Sequence, residues 1–315
     1  MRNSMQSGVD ILSRQLNSPL EKIQDSLLEE KEIELYIKRD DMIHPEISGN
    51  KWRKMKYNVI EARQSGFDKI LTFGGAYSNH IYAAAASGKA FGLQTIGVIR
   101  GEETLPLNPT LNFAKSAGME LKHVSRSEYR NKHTDEFVSK LREEFGDFYL
   151  VPEGGSNAFA LPGVKELVDE IDVDFDIICA ACGTGGTVAG ICAGLKTGQK
   201  AWGFPALKGG SFIYNEVDRL LKEAKLPSSG NLELFTEFHF GGYAKYKVEL
   251  IEFINAFKVK HGIPLDPVYT GKMMFGLYEN IKKDMLPKGS VVVAVHTGGL
   301  QGIDGFNERY GALIE

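Results

Sequence analysis

The sequence predicts an α/β protein built on two open, twisted, mostly parallel sheets, and three observations lead there. Strand-like apolar runs alternate with helix-like segments along nearly the whole chain, which implies right-handed crossovers and parallel strands. Several runs are almost continuously apolar, as strands buried on both faces must be. The 315 residues leave room for two domains. In order, the strand-like runs are IELYIKRD (33–40), KILTFGG (69–75), TIGVIRG (95–101), ELKHVS (120–125), DFYLVPEGG (147–155), FDIICAACG (175–183) and VVVAVHTGG (291–299). Between them lie helical patterns at NHIYAAAASGKAFG (79–92), TDEFVSKLREEFG (134–146), GTVAGICAGL (186–195) and VELIEFINAFKVK (248–260). No fixed-period repeat and no low-complexity linker interrupts the alternation.

Composition narrows the function. Hydrophobic content of 43% and charged content of 25% are ordinary for a globular protein. A net charge of -4 offers no general attraction to nucleic acid or to an anionic membrane. No apolar run is long enough to cross a bilayer, and the first ten residues, MRNSMQSGVD, lack the apolar stretch of a signal peptide. Three cysteines do not make a disulfide framework, so a reducing, cytoplasmic setting is expected. The expected partner is a small molecule.

The glycines locate the site. GGAYSN (74–79), GGSN (154–157), GTGGT (183–187) and TGG (297–299) each follow a strand. Ligands of parallel sheets bind at the carboxyl ends of strands, so these loops form the expected walls. CGTGGTVAGI (182–191) joins an apolar strand to a helix. Its successive N–H groups and the helix dipole suit a phosphate, and Thr184 and Thr187 add hydroxyls. It is not a dinucleotide fingerprint, because the third glycine would fall at Val188, and no Gly-Lys-Ser/Thr makes it a Walker loop. Those failures count against a non-catalytic nucleotide-binding module.

Other motifs are weighed the same way. Cys179 and Cys182 form a C-x-x-C, but only Cys192 remains for a metal, and an odd spacing on a strand sends the two thiols to opposite faces. Buried small residues and no metal site are the expectation. In FGGAYSNHIYAAAA (73–86), Ser78 and Asn79 are good helix caps, and the N–H groups there also suit a carboxylate. His80 and His296 stand at strand ends and are read as lining the site only.

HPEISGNKWRK (44–54) holds the least expected residue. A Ser-Gly-Asn turn delivers Lys51 onto a helix start, where a cation is disfavoured. Trp52, Met55 and Val59 share one face of that helix, and Lys51 and Lys54 lie one turn apart on another. A phosphate loop, a carboxylate loop and a lysine at a helix start suit a cofactor with one phosphate and one aldehyde. Pyridoxal phosphate fits, with lysine as its Schiff-base partner.

Taken together, SGNKWRK, TFGGAYSNHIYAAA, GTGGTVAG, PVYTGK and HTGG occur in this order over nearly the whole chain. The set closely resembles the pyridoxal-phosphate family containing D-cysteine desulfhydrase and 1-aminocyclopropane-1-carboxylate deaminase. That resemblance implies the tryptophan-synthase-β type of fold (fold type II of these enzymes) and a homodimer. A large domain would comprise residues 1–50 and 156–315, and a small one residues 51–155. It also implies roles. Lys51 would form the Schiff base and remove the α-proton. Asn79 would bond the cofactor's phenolic oxygen, and Ser78, Asn79 and His80 the substrate carboxylate. In the deaminases the serine of this motif has a proposed part in ring opening. Thr184, Gly185, Gly186 and Thr187 would cradle the phosphate, helped by Lys54. Tyr243 and Tyr269 match two active-site tyrosines.

Two departures separate the branches. The deaminases carry glutamate after the second tyrosine, where this chain has Thr270, and leucine before the last Gly-Gly, where it has Thr297. The hydroxyl pair resembles the desulfhydrase branch. A carboxylate beside the pyridine nitrogen favours its protonated form and a strong electron sink, and threonine does much less. Opening a cyclopropane needs that sink, whereas thiolate is a good leaving group. The expected reaction is β-elimination from D-cysteine to pyruvate, hydrogen sulfide and ammonia. The alternatives are the deaminase reaction and a broader lyase taking D-serine or β-chloro-D-alanine. The sequence does not choose which threonine faces the nitrogen.

Overall fold

A computed structural model describes residues 16–227 and 231–315, so the MRNSMQSGVD stretch lies outside the described residues. The strands form two sheets. The first is six-stranded, in the order β1 (Leu20–Ile23), β2 (Glu34–Lys38), β10 (Val291–Val295), β7 (Ile177–Cys182), β8 (Lys200–Pro205) and β9 (Leu232–Leu234). The second is four-stranded, in the order β5 (Met119–Val124), β4 (Gln94–Arg100), β3 (Lys69–Gly75) and β6 (Tyr149–Val151). All pairings are parallel except that of β1 with β2.

Burial on both faces explains the continuous apolar runs. In β7 every residue is buried. Ile177, Cys179 and Ala181 enter one core and Ile178, Ala180 and Cys182 the other, as the odd cysteine spacing predicts. Burial pushes the thiols up, that of Cys182 to about 12, so these are packing residues. The second sheet is likewise covered on both sides.

Glycine allows the layer over the first sheet to close. The Gly186–Gly194 helix lies against the Ala160–Asp169 helix, and a Cβ on Gly190 would stand 2.4 Å from Val164. A Cβ on Gly163 would stand 2.1 Å from the carbonyl oxygen of Arg53, in the Asn50–Gln64 helix. That helix connects the two sheets in sequence, and a buried charge cluster fixes it. Arg53 donates to both Asp40 and Glu170, and Lys38 pairs with Glu170 at 2.9 Å. All four side chains are at most 1% exposed.

Candidate active site

The four glycine-rich strand ends meet, and the start of the Asn50–Gln64 helix lies among them. Gly49 caps this helix at φ 65°, ψ -143°, a region open to glycine alone. Its amide donates to the Asp40 carbonyl at 2.9 Å, and the Asn50 amide to the Thr297 carbonyl at 3.2 Å. The loop after β10 therefore holds the turn that carries Lys51. The Lys51 ammonium donates to Asn50 Oδ1 at 3.0 Å, and Asn50 Nδ2 to Thr187 Oγ1 at 2.8 Å. Asn50 thus joins the lysine to the glycine loop 137 residues away.

Electrostatics makes Lys51 unusual. Burial lowers its pKa to about 8 against the opposing pull of Asp266. Lys54 is held well below the ordinary lysine value by burial and by the charge of Lys51. Its Nζ donates to Ser156 Oγ at 3.0 Å and to the Gly154 carbonyl at 3.1 Å.

The loop after β7 is a cradle. Gly185 adopts φ 80° and caps the Gly186–Gly194 helix. A Cβ on Gly186 would stand 2.5 Å from Ser156 Oγ and 3.0 Å from Lys54 Nζ. Thr184 Oγ1 lies 2.6 Å from Ser156 Oγ. A helix N-terminus, three hydroxyls and the Lys54 amino group therefore surround a space that only glycine leaves open, and a phosphate group fits this donor set.

The loop after β3 behaves as a cap. Ser78 Oγ accepts from the amides of His80 and Ile81 at 3.2 and 3.3 Å. Asn79 Oδ1 accepts from Gln301 at 3.1 Å, and a Cβ on Gly299 would stand 2.6 Å from its Nδ2. His80 departs from the expected carboxylate role in its side chain. The imidazole is 2% exposed, and its Nε2 lies 2.7 Å from Thr72 Oγ1. Thr72 gives its proton to the Val151 carbonyl, so Nε2 is the protonated nitrogen and Nδ1 has no partner. Burial and the two lysines hold His80 neutral. His296 is also structural, with Nε2 donating to the Pro264 carbonyl at 2.7 Å.

The two threonines differ sharply. Thr270 is fully buried. Its hydroxyl donates to Asp266 Oδ1 at 2.7 Å and accepts from the Asp266 amide at 2.9 Å. It has no proton left to offer. The Thr297 hydroxyl has no hydrogen-bond partner among the described residues. Tyr243 and Tyr269 pack edge to face with ring centroids 6.0 Å apart, and a Cβ on Gly183 would stand 3.2 Å from Tyr269. Burial keeps the Tyr269 phenol protonated far above neutral pH.

Sequence reasoning missed Asn50, Ser156 and Asp266. Asp266 caps the Thr270–Lys282 helix, accepting the amides of Val268, Tyr269 and Thr270 at 2.8 to 2.9 Å. An aspartate four residues before a threonine at a helix start is a readable capping signal. Ser156 stood in a recognised GGSN loop without a role, and Asn50 read as part of a turn.

These features fit pyridoxal phosphate, and the comparisons show the family of the chain. A family model described as pyridoxal-phosphate dependent enzyme matches residues 11–298, so the chain belongs to that family. An Arabidopsis thaliana protein named bifunctional D-cysteine desulfhydrase/1-aminocyclopropane-1-carboxylate deaminase, mitochondrial, is 34% identical over 297 residues, covering 86% of this chain and 73% of its own. A Pyrococcus horikoshii protein provisionally named a 1-aminocyclopropane-1-carboxylate deaminase is 32% identical, covering 89% of each chain. A solved structure described as an ACC deaminase homologue superimposes with a TM-score of 0.84 at 30% identity, covering all of both chains. The chain is a pyridoxal-phosphate-dependent lyase with the type II fold.

Proposed function

We propose that the enzyme eliminates hydrogen sulfide from D-cysteine, leaving pyruvate and ammonia after hydrolysis. The observation that carries this reading is the state of the two threonines. Thr270 replaces the deaminases' glutamate and spends its hydroxyl on Asp266, so the polar group free to meet the ring nitrogen is Thr297. A neutral hydroxyl there supports loss of a good leaving group better than cyclopropane opening.

The residues divide the work. Bound pyridoxal phosphate supplies an electron-withdrawing ring that stabilises negative charge on the substrate's α-carbon. Thr184, Gly185, Gly186 and Thr187, with Lys54, hold its phosphate, and Asn79 its phenolic oxygen. Ser78 and Asn79 hold the substrate carboxylate, and His80 serves by donating its backbone N–H to Ser78 Oγ, which sets that side chain in place. Lys51 takes the α-proton. With a pKa of about 8, roughly a tenth of it is neutral at pH 7, against less than a thousandth for an ordinary lysine. The protonated phenols of Tyr269 and Tyr243 supply a proton to the departing sulfur.

The name of the Pyrococcus relative favours a second reading, deamination of 1-aminocyclopropane-1-carboxylate to 2-oxobutanoate, and the name of the Arabidopsis relative covers both. Purified enzyme offered D-cysteine, L-cysteine, D-serine, β-chloro-D-alanine and the cyclopropane substrate in parallel separates the readings. Equal pyruvate and sulfide from D-cysteine is expected. Release of 2-oxobutanoate without sulfide release from D-cysteine would replace the first reading with the second. We also propose a cytoplasmic homodimer, with a large domain of residues 1–50 and 156–315 and a small one of residues 51–155. No helix among the described residues is long and apolar enough to cross a membrane.

A further inference from the structure

Lys272 is 1% exposed, and no carboxylate pairs with it among the described residues. Burying an ammonium is costly unless every proton finds an acceptor. Here each does, and each acceptor is a backbone carbonyl. Nζ donates to His239 and Gly242 at 2.9 Å and to Ala206 at 3.2 Å. Ala206 follows β8, and His239 and Gly242 belong to the loop that leads into Tyr243.

That loop is held in an unfavourable shape. Phe240, Gly241, Gly242 and Ala244 have φ values of 52°, 94°, 129° and 54°, and two of these are residues that avoid the left-handed region. Strained backbone persists only where its surroundings over-determine it. The loop's own bonds are short-range: the Gly242 amide to the His239 carbonyl at 3.0 Å and the Lys245 amide to the Gly242 carbonyl at 3.1 Å. Both accepting carbonyls are also bound by Lys272. Tyr243 itself is 47% exposed and its ring meets Tyr269 along one edge, so the loop shares in seating it. Lys272 lies three residues after Tyr269 on the Thr270–Lys282 helix. One ammonium therefore ties the loop of one tyrosine to the helix of the other.

We propose that Lys272 is a positioning residue that holds the 239–244 loop in its strained form and so seats Tyr243 against Tyr269. Its value to turnover rests on the reading that Tyr243 acts in the reaction. A methionine or leucine would fill much of the same space without an ammonium to desolvate, but it would strip the Ala206 carbonyl of its donor and leave the His239 and Gly242 carbonyls with only the loop's own short-range amides.

Two measurements on the holoenzyme test it, with Lys272→Met and Lys272→Gln made together so that one folded variant suffices. In the first, amide exchange at Gly242 and Lys245 is expected to quicken about tenfold or more, with β7 unchanged. Unchanged exchange in the loop overturns the proposal, and so does an equal increase in β7, which marks a general loss of structure. In the second, kcat/KM is measured in a cycle with Tyr243→Phe. Lys272→Met is expected to cost about tenfold in the wild-type background and less than about twofold once the Tyr243 hydroxyl is gone. Equal losses in both backgrounds overturn the action through Tyr243. A Tyr243→Phe enzyme of wild-type activity removes that tyrosine from the reaction, and the exchange result then decides the clamp by itself.

Discussion

Replacing Gly49 by alanine tests how the fold delivers Lys51. A Cβ there would stand 1.9 Å from the Thr297 oxygen and 2.3 Å from its carbonyl carbon. An ordinary carbon–oxygen contact is about 3.3 Å, so the turn and the loop after β10 must part by roughly 1.4 Å. Parting them strains or breaks the Gly49–Asp40 and Asn50–Thr297 hydrogen bonds, each worth about 1 kcal/mol. The backbone angles themselves cost a non-glycine residue about 1–3 kcal/mol. The total is about 3–5 kcal/mol, or a fall of roughly 5–8 °C in Tm for a chain of this size. A displacement above 1 Å at Lys51, the proposed Schiff-base lysine, should also cost about 100-fold in turnover. Gly262 is the control. It has φ 70° but nothing within 4 Å of an added Cβ, so Gly262→Ala pays only for the angle, about 1–2 kcal/mol. Thermal unfolding and steady-state turnover of both variants decide the matter. If Gly49→Ala matches Gly262→Ala in Tm and in turnover, the close approach of the two loops does not position Lys51.

Further predictions concern charge and hydroxyls. Arg53→Met leaves Asp40 and Glu170 buried with too few partners and should destabilise by about 3–5 kcal/mol in denaturant unfolding; a loss below about 1 kcal/mol would mean that the cluster does not hold the helix. Asp266 pulls the Lys51 pKa up, so Asp266→Asn should move it down. The pH midpoint for capture of pyridoxal phosphate by the apoprotein would then shift to lower pH, and a shift to higher pH would contradict the assignment. Thr270→Val should destabilise by about 1–3 kcal/mol through lost hydrogen bonding to Asp266, and so lower Tm. Thr297→Val should leave Tm in place and change turnover and the cofactor's absorption, and the reverse pattern would exchange their roles.

How far the sequence could be read depended on the range of each interaction. The long apolar strands β3, β4, β7 and β10 were legible because burial on both faces is written into consecutive residues. The edge strands β1 and β9, of four and three residues, and β8, broken by Gly203 and ended by Pro205, carry too little periodicity. The Thr270–Lys282 helix was hidden because its TGK opening reads as a loop until Asp266 is seen to cap it. The place of Lys51 at a helix start was legible from the Ser-Gly-Asn turn before it. Asn50 and Lys272 were not, because their partners lie 137, 66, 33 and 30 residues away and are chosen by the fold. His80 read as a site residue from its motif, yet its ring turns to Thr72, eight residues earlier on the adjoining strand.

The most direct test of the central claim is to reduce the holoenzyme with borohydride, which fixes pyridoxal phosphate to the lysine that holds it, and then to map the peptides by mass. Label on Lys51 alone, with loss of both label and turnover in Lys51→Ala, is the predicted result. Label on Lys54 or another lysine, or wild-type turnover in Lys51→Ala, would contradict the account.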